Sequence, residues 1–351
     1  MRRFGITPST ATDQAQRDQQ PELSEPFAAL PSPTGAAPYR LNTGSFEGRT
    51  WTPGVRTLHV IGDHGGVKDP NPQLAVVKAM IADNASQPVD LCYSVGDVDY
   101  FTGEVGEIGV QFYEPYADYP VPIVAIPGNH DGAGNDKLAT FMQTFCDPTP
   151  KLIPAQAEYN RDTMDQPNCY WTLTDELVTI IGLYSNVPSG GVIEMDQQEW
   201  LVEELKAAPE GVALIVALHH PPYSCDAHHG GSEKMGKLLD EAFVEAGRWP
   251  SLVLAGHVHD YQRFTRTLHE GHECAYVVCG AGGYHNLHAM ATDAAPGLQA
   301  THDCVLEAFD ATQYGFLRLT VTPSQIVGVY TGVSKEGVVT QHVDSFAVLV
   351  G

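Results

Sequence analysis

The chain is poor in basic side chains. It has 19 Lys and Arg against 43 Asp and Glu, a formal net charge of −24 over 351 residues. A surface this acidic argues against nucleic acid or an anionic membrane as a partner. Excess acid of this kind chiefly maintains solubility. No apolar run is long enough to span a bilayer. Arg2 and Arg3 stand at the start, but no apolar stretch follows them as an export signal requires. A cytoplasmic location is the expectation, with export left open. The seven cysteines form no Cys-x-x-Cys pair, and an odd number leaves at least one unpaired, in keeping with a reducing compartment. No internal repeat is visible.

Residues 1–54 also lack apolar periodicity and are rich in Pro, Ser, Thr, Gln and Ala. They read as an extended or disordered arm. Residues 55–351 read as one α/β domain. Its strands are expected at Thr57–Ile61, Leu91–Val95, Pro122–Ile126, Ala213–Leu218 and Leu252–Ala255, each a short apolar run bounded by glycine or polar residues. The pattern at 195–205 predicts an amphipathic helix with Trp200, Leu201 and Leu205 buried. A second helix is expected at 233–246. Tyr314–Leu319 and Ile326–Tyr330 read as a closing hairpin through Pro323 and Ser324.

Five fragments follow the five strands: Asp63-His64-Gly65, Gly96-Asp97-Val98-Asp99-Tyr100, Gly128-Asn129-His130-Asp131, Val216-Ala217-Leu218-His219 and Gly256-His257-Val258-His259. Active sites of open α/β sheets lie beyond the carboxyl ends of the strands. Each fragment offers an oxygen or an imidazole at such a position. Hard cations take carboxylate and amide oxygen, while imidazole suits zinc and iron. Asp63, Asp97, Asn129, His219, His257 and His259 supply that mixture. Two metals held by such a set can neutralise a phosphate ester and lower the pKa of water. Asp97 is the candidate bridge between them.

These fragments resemble the calcineurin-like metallophosphoesterases, and most nearly the purple acid phosphatases. Most of the superfamily carries Asp-x-His in the first fragment, whereas Gly65 here fits the purple acid phosphatase Asp-x-Gly. Tyr100 stands three residues after Asp97, where that family places a tyrosine on iron. Gly256-His257-Val258-His259-Asp260-Tyr261-Gln262-Arg263 and Gly280-Ala281-Gly282-Gly283 fit as well, so the likeness spans residues 56–332. The resemblance implies a four-layer α/β/β/α sandwich of two mixed sheets flanked by helices. It implies one metal, iron(III), on Asp63, Asp97, Tyr100 and His259. It implies a second, iron, zinc or manganese, on Asp97, Asn129, His219 and His257. It gives His130 an outer role toward substrate, and His228 and His229 roles in substrate binding and leaving-group protonation. The expected activity is that of a phosphomonoesterase using a metal-bound hydroxide on a small phosphorylated substrate. The alternative is a phosphodiesterase on the same scaffold with a metal pair lacking tyrosinate. A binding protein without catalysis is disfavoured because every ligand position is filled. His64 receives no role, and His220 competes with His219 for one ligand position. His285 and His288 read as ordinary residues after the Gly-rich turn, and His269, His272 and His302 as surface.

Overall fold

A computed structural model describes residues 27–46, 49–104 and 106–350. Among them the strands form two mixed sheets. The first contains β2 (Arg56–Ile61), β3 (Leu91–Ser94), β4 (Ile123–Ala125), β13 (Tyr314–Val321), β14 (Gln325–Val333) and β15 (Val339–Leu349), in the order β15-β14-β13-β2-β3-β4. The second contains β1 (Arg40–Asn42), β5 (Trp171–Thr174), β6 (Val178–Gly182), β7 (Ala213–Ala217), β8 (Leu252–Ala255), β9 (Tyr261–Thr267), β10 (Glu273–Cys279), β11 (Leu298–Gln299) and β12 (Cys304–Asp310). Its order is β1-β5-β6-β7-β8-β10-β9-β12-β11. The pairs β2–β3, β3–β4, β7–β8 and β8–β10 are parallel.

Strand alternation builds the layers. Leu91, Tyr93 and Val95 of the β3 segment point into the core between the sheets, where they meet Ile215, Ala217, Leu252 and Leu254. Cys92 points the other way, toward α1 (Asn71–Ser86) and its Val76, Val77 and Met80. On the far side Leu214, Val216 and Val253 face α3 (Met195–Ala207) and α4 (Glu233–Ala246) through Leu201, Leu205, Leu239 and Phe243. A short α2 (Ala139–Phe145) joins the α1 layer. Both faces of each central strand are buried, which is why these strands read as continuous apolar runs. The result is the four-layer α/β/β/α sandwich.

Both expected helices form. Within α3, Leu201 and Leu205 are buried, but Trp200 is only half-buried: its ring packs on Tyr170 and its indole N–H donates to Pro38 O at 2.7 Å. The closing hairpin forms as β13–β14, and β15 then adds a further edge strand. Of the expected arm at 1–54, residues 1–26, 47 and 48 lie outside the described residues. The remainder is extended yet attached, for β1 pairs with β5 and Arg40 grips the buried Glu204 at 2.8 Å. All seven cysteines are buried and free. No helix among the described residues is long and apolar enough to cross a membrane.

Candidate metal centre

The carboxyl ends of β2, β3 and β4 in one sheet meet those of β7 and β8 in the other, and the five fragments converge there. Asp63, Asp97 and His219 are fully buried, with ligand atoms all within 4.8 Å of one another. Around Asp63 Oδ1 stand Tyr100 OH at 3.3 Å and His259 Nε2 at 3.5 Å. Around Asn129 Oδ1 stand His219 Nε2 and His257 Nδ1, each at 3.0 Å. Asp97 Oδ2 lies 3.3 Å from His219 Nε2 and is buried without a hydrogen-bond partner. The seven residues expected as ligands thus lie close together, Tyr100 and His259 beside Asp63, His257 and His219 beside Asn129, and Asp97 beside His219.

The backbone is bent to achieve this. Asp63, Asp97 and His257 all have positive φ, at 53°, 54° and 70°. Such left-handed residues cost about 1–3 kcal/mol each and persist where the surroundings enforce them. The enforcement is visible. His257 N donates to Asp63 Oδ2 at 2.8 Å, and His130 N to Asp97 Oδ1 at 2.9 Å. Asp131 accepts four backbone N–H groups: Val98 and Asp99 on Oδ1, at 3.0 Å each, with Asp97 at 2.9 Å and Gly128 at 2.7 Å on Oδ2. One carboxylate therefore ties the second fragment to the third. Two glycines make room. A Cβ on Gly128 would lie 2.0 Å from Asp97 Oδ1. A Cβ on Gly65 would lie 2.8 Å from the Tyr100 ring and 2.8 Å from Val98 O. The space that a side chain at 65 would fill is the space Tyr100 uses.

The electrostatics call for positive charge. Burial opposes protonation of His219, but the charges of Asp97 and Asp63 override it and raise its pKa to about 9. Burial, together with the charges of Asp97 and Asp63, pushes the Tyr100 phenol well above its ordinary value. A cation seated among these donors would replace the proton on His219 and favour a phenolate at Tyr100. The buried, partnerless Asp97 Oδ2, the cradle at Gly128 and the mixed O/N donor set all fit such ions.

The remaining histidines divide. His130 sits beside the donors, its ring 4.5 Å from Tyr100 and its Nδ1 donating to Phe101 O at 2.8 Å. His229 lies over His257 at 4.8 Å. His228 stands further out, facing His288 at 5.1 Å. His220 Nδ1 meets Ser185 Oγ at 2.8 Å, its Nε2 is buried without a hydrogen-bond partner, and its ring lies 4.4 Å from that of His257. His64 is a buried packing residue between Ser94 Oγ (2.9 Å) and Tyr116 OH (3.2 Å). Burial drives its pKa down to about 3, so it stays neutral.

Three residues beside the centre had no role assigned from the sequence. Asp131 stood inside the third fragment, and its value as an acceptor follows only from the fold. His288 is not an ordinary turn residue: its ring packs on His259 at 4.3 Å and its backbone N–H donates to His259 O at 2.9 Å. Asp226 accepts from the amides of His228 and His229. An Asp two residues before a candidate pair is an Asx-turn signal that could have identified it. Two surface hollows, one beside Arg248, Trp249 and His272 and the other beside Arg49, Tyr119 and Arg161, lie toward the amino ends of the strands, away from these donors.

A family model described as calcineurin-like phosphoesterase matches residues 56–261. The chain is 30% identical over 128 residues to purple acid phosphatase 21 of Arabidopsis thaliana, covering 35% of this chain and 28% of that protein. It is 26% identical over 273 residues to tartrate-resistant acid phosphatase type 5 of Sus scrofa, covering 71% of this chain and 75% of that protein. The chain thus spans under a third of the plant relative's length and three quarters of the porcine one's. The purple acid phosphatase PPD1 from yellow lupin seeds superposes with a TM-score of 0.56 at 18% identity, covering 84% of this chain and 53% of that one, a likeness of fold.

Proposed function

The chain belongs to the calcineurin-like phosphoesterase family, and from that premise we propose that it is a two-metal phosphomonoesterase of the purple acid phosphatase type. The observation that carries the reading is the gathering of seven donors, six of them buried and His257 half-buried, at the meeting of the strand ends. Asp63, Asp97, Tyr100 and His259 would hold one ion, and Asp97, Asn129, His219 and His257 the other. Bound there, the ions would neutralise the phosphate and make water acidic enough to attack it. Tyr100 favours iron(III) in the first group, because a phenol held well above its ordinary pKa gives up its proton only to a strong Lewis acid.

The protein's own groups do the rest. Asp97 and Asp63 set the negative charge that would hold the ions. His130 has its tautomer fixed, since a carbonyl can only accept and Nδ1 must carry the proton. Its Nε2 is then the atom available to the substrate. His229, whose ring lies 4.8 Å from that of His257, would meet the departing group. The net charge of −24 repels anions at long range, so the phosphate is captured by the centre itself.

The test is a steady-state comparison of p-nitrophenyl phosphate with its bis-ester on one metal-loaded sample, with elemental analysis. Two metals per chain and preference for the monoester are expected, and Asp97→Ala should remove metal and turnover together. Preference for the bis-ester would select the phosphodiesterase reading. Full hydrolysis by metal-free protein would overturn both.

A further inference from the structure

We propose that Asp226 is the positioning residue of the leaving-group side of this centre, an inference that rests on the phosphoesterase reading above. Its side chain is wholly buried. Its Oδ1 accepts from His228 N at 2.8 Å, and its Oδ2 accepts from His229 N at 3.0 Å and from His288 Nδ1 at 2.9 Å. The same turn is pinned on its flanks, where Cys225 N donates to Gln262 Oε1 at 2.8 Å and Ala227 N to Ala289 O at 2.9 Å.

The consequence is mechanical. Two backbone bonds fix where the His228 and His229 side chains begin. The third contact, with His259 N also 3.4 Å from His288 Nδ1, holds the His288 ring 4.3 Å from His259 and 5.0 Å from His229. One carboxylate therefore sets the distance between the turn bearing His228 and His229 and the back of the candidate ligand His259. In ester hydrolysis water adds to phosphorus, the P–O ester bond breaks, and the departing alkoxide takes a proton to leave as the alcohol. A group that delivers that proton contributes about 10²–10⁴-fold, and a displacement of about 1 Å can forfeit 10²-fold. Holding His228 and His229 in register is thus a catalytic matter, whereas a simple turn cap would affect stability alone.

Leaving-group dependence separates the two. p-Nitrophenolate departs with little need of a proton, while an alkoxide needs one. Asp226→Ala, and the near-isosteric Asp226→Asn in case the alanine variant fails to fold, should keep two metals per chain. Each should lose at least about tenfold more kcat/KM on an alkyl phosphate than on p-nitrophenyl phosphate. In a His228→Ala/His229→Ala background, the same change at 226 should lose that discrimination. Equal losses on the two esters, or loss of a metal equivalent, would overturn the positioning role while leaving the phosphoesterase reading in place. Metal-loaded wild type inactive on both esters would overturn that reading, and this inference with it.

Discussion

Asp131→Asn should loosen the centre while leaving the core packed, because the two side chains have the same shape. The aspartate presents two oxygens to four backbone N–H groups. Asparagine retains one oxygen and turns an NH₂ toward the other pair of donors. Two buried N–H groups then lack an acceptor, at about 1–3 kcal/mol each, or about 2–6 kcal/mol together. With an unfolding entropy of about 2.1 cal/mol/K per residue over about 300 residues, each kcal/mol shifts melting by about 1.6 °C, so melting should fall by roughly 3–10 °C. The lost bonds also held Asp97 at its positive φ, so the loss should fall partly on metal binding. Melting the chelated and the metal-saturated protein separates the two effects. Each tenfold loss of affinity removes about 1.4 kcal/mol of metal-induced stabilisation. An unchanged melting temperature in both states would refute the bracing argument. An equal fall in both, with metal affinity intact, would make Asp131 a brace of the fold and not of the centre.

His130→Ala should cost about 10²–10⁴-fold in rate while both metals remain, and elemental analysis showing a lost equivalent would make His130 a ligand. Tyr100→Phe should bleach the visible absorption of iron-loaded, oxidised protein, whereas iron(III) in the first group of the wild type without a visible band would exclude tyrosinate ligation. His219 predicts a pH trend. In metal-free protein its folded pKa of about 9 exceeds the ordinary value of 6.5, because the Asp97 and Asp63 charges outweigh burial. The stabilisation from that proton is complete below 6.5 and is lost as pH rises through 9. Chelated protein should therefore melt lower at pH 9 than at pH 6.5. Metal binding in that window should release a proton, read as a buffer-dependent heat of binding, and a buffer-independent heat would contradict the assignment.

Much of the fold was legible because buried parallel strands must be apolar on both faces. Runs such as Leu91–Val95 and Ala213–Leu218 could be little else. In the structure helix α4 is capped by Ser232, whose hydroxyl accepts from Met235 N, and closed by Gly247 with a left-handed φ of 63°. By contrast α1 passed unread, since its alanines and scattered polar residues make almost no apolar stripe. The pairing of β1 with β5 joins residues more than a hundred positions apart, and no local pattern encodes it.

The same division runs through the site. The types of donor, their place after strand ends and the company of Gly65 with Tyr100 are local facts, and the sequence alone determined them. Family membership could be read from them for the same reason. What only the tertiary structure decided is adjacency. The two sheets had to pack face to face before Asn129 from one could stand 3.0 Å from His219 of the other. His288 became a neighbour of His259, and Asp226 came to hold both it and the 228–229 turn, because chain packing brought residues 62 positions apart into one hydrogen bond. Local chemistry names the donors, but distance between them is a property of the packed chain.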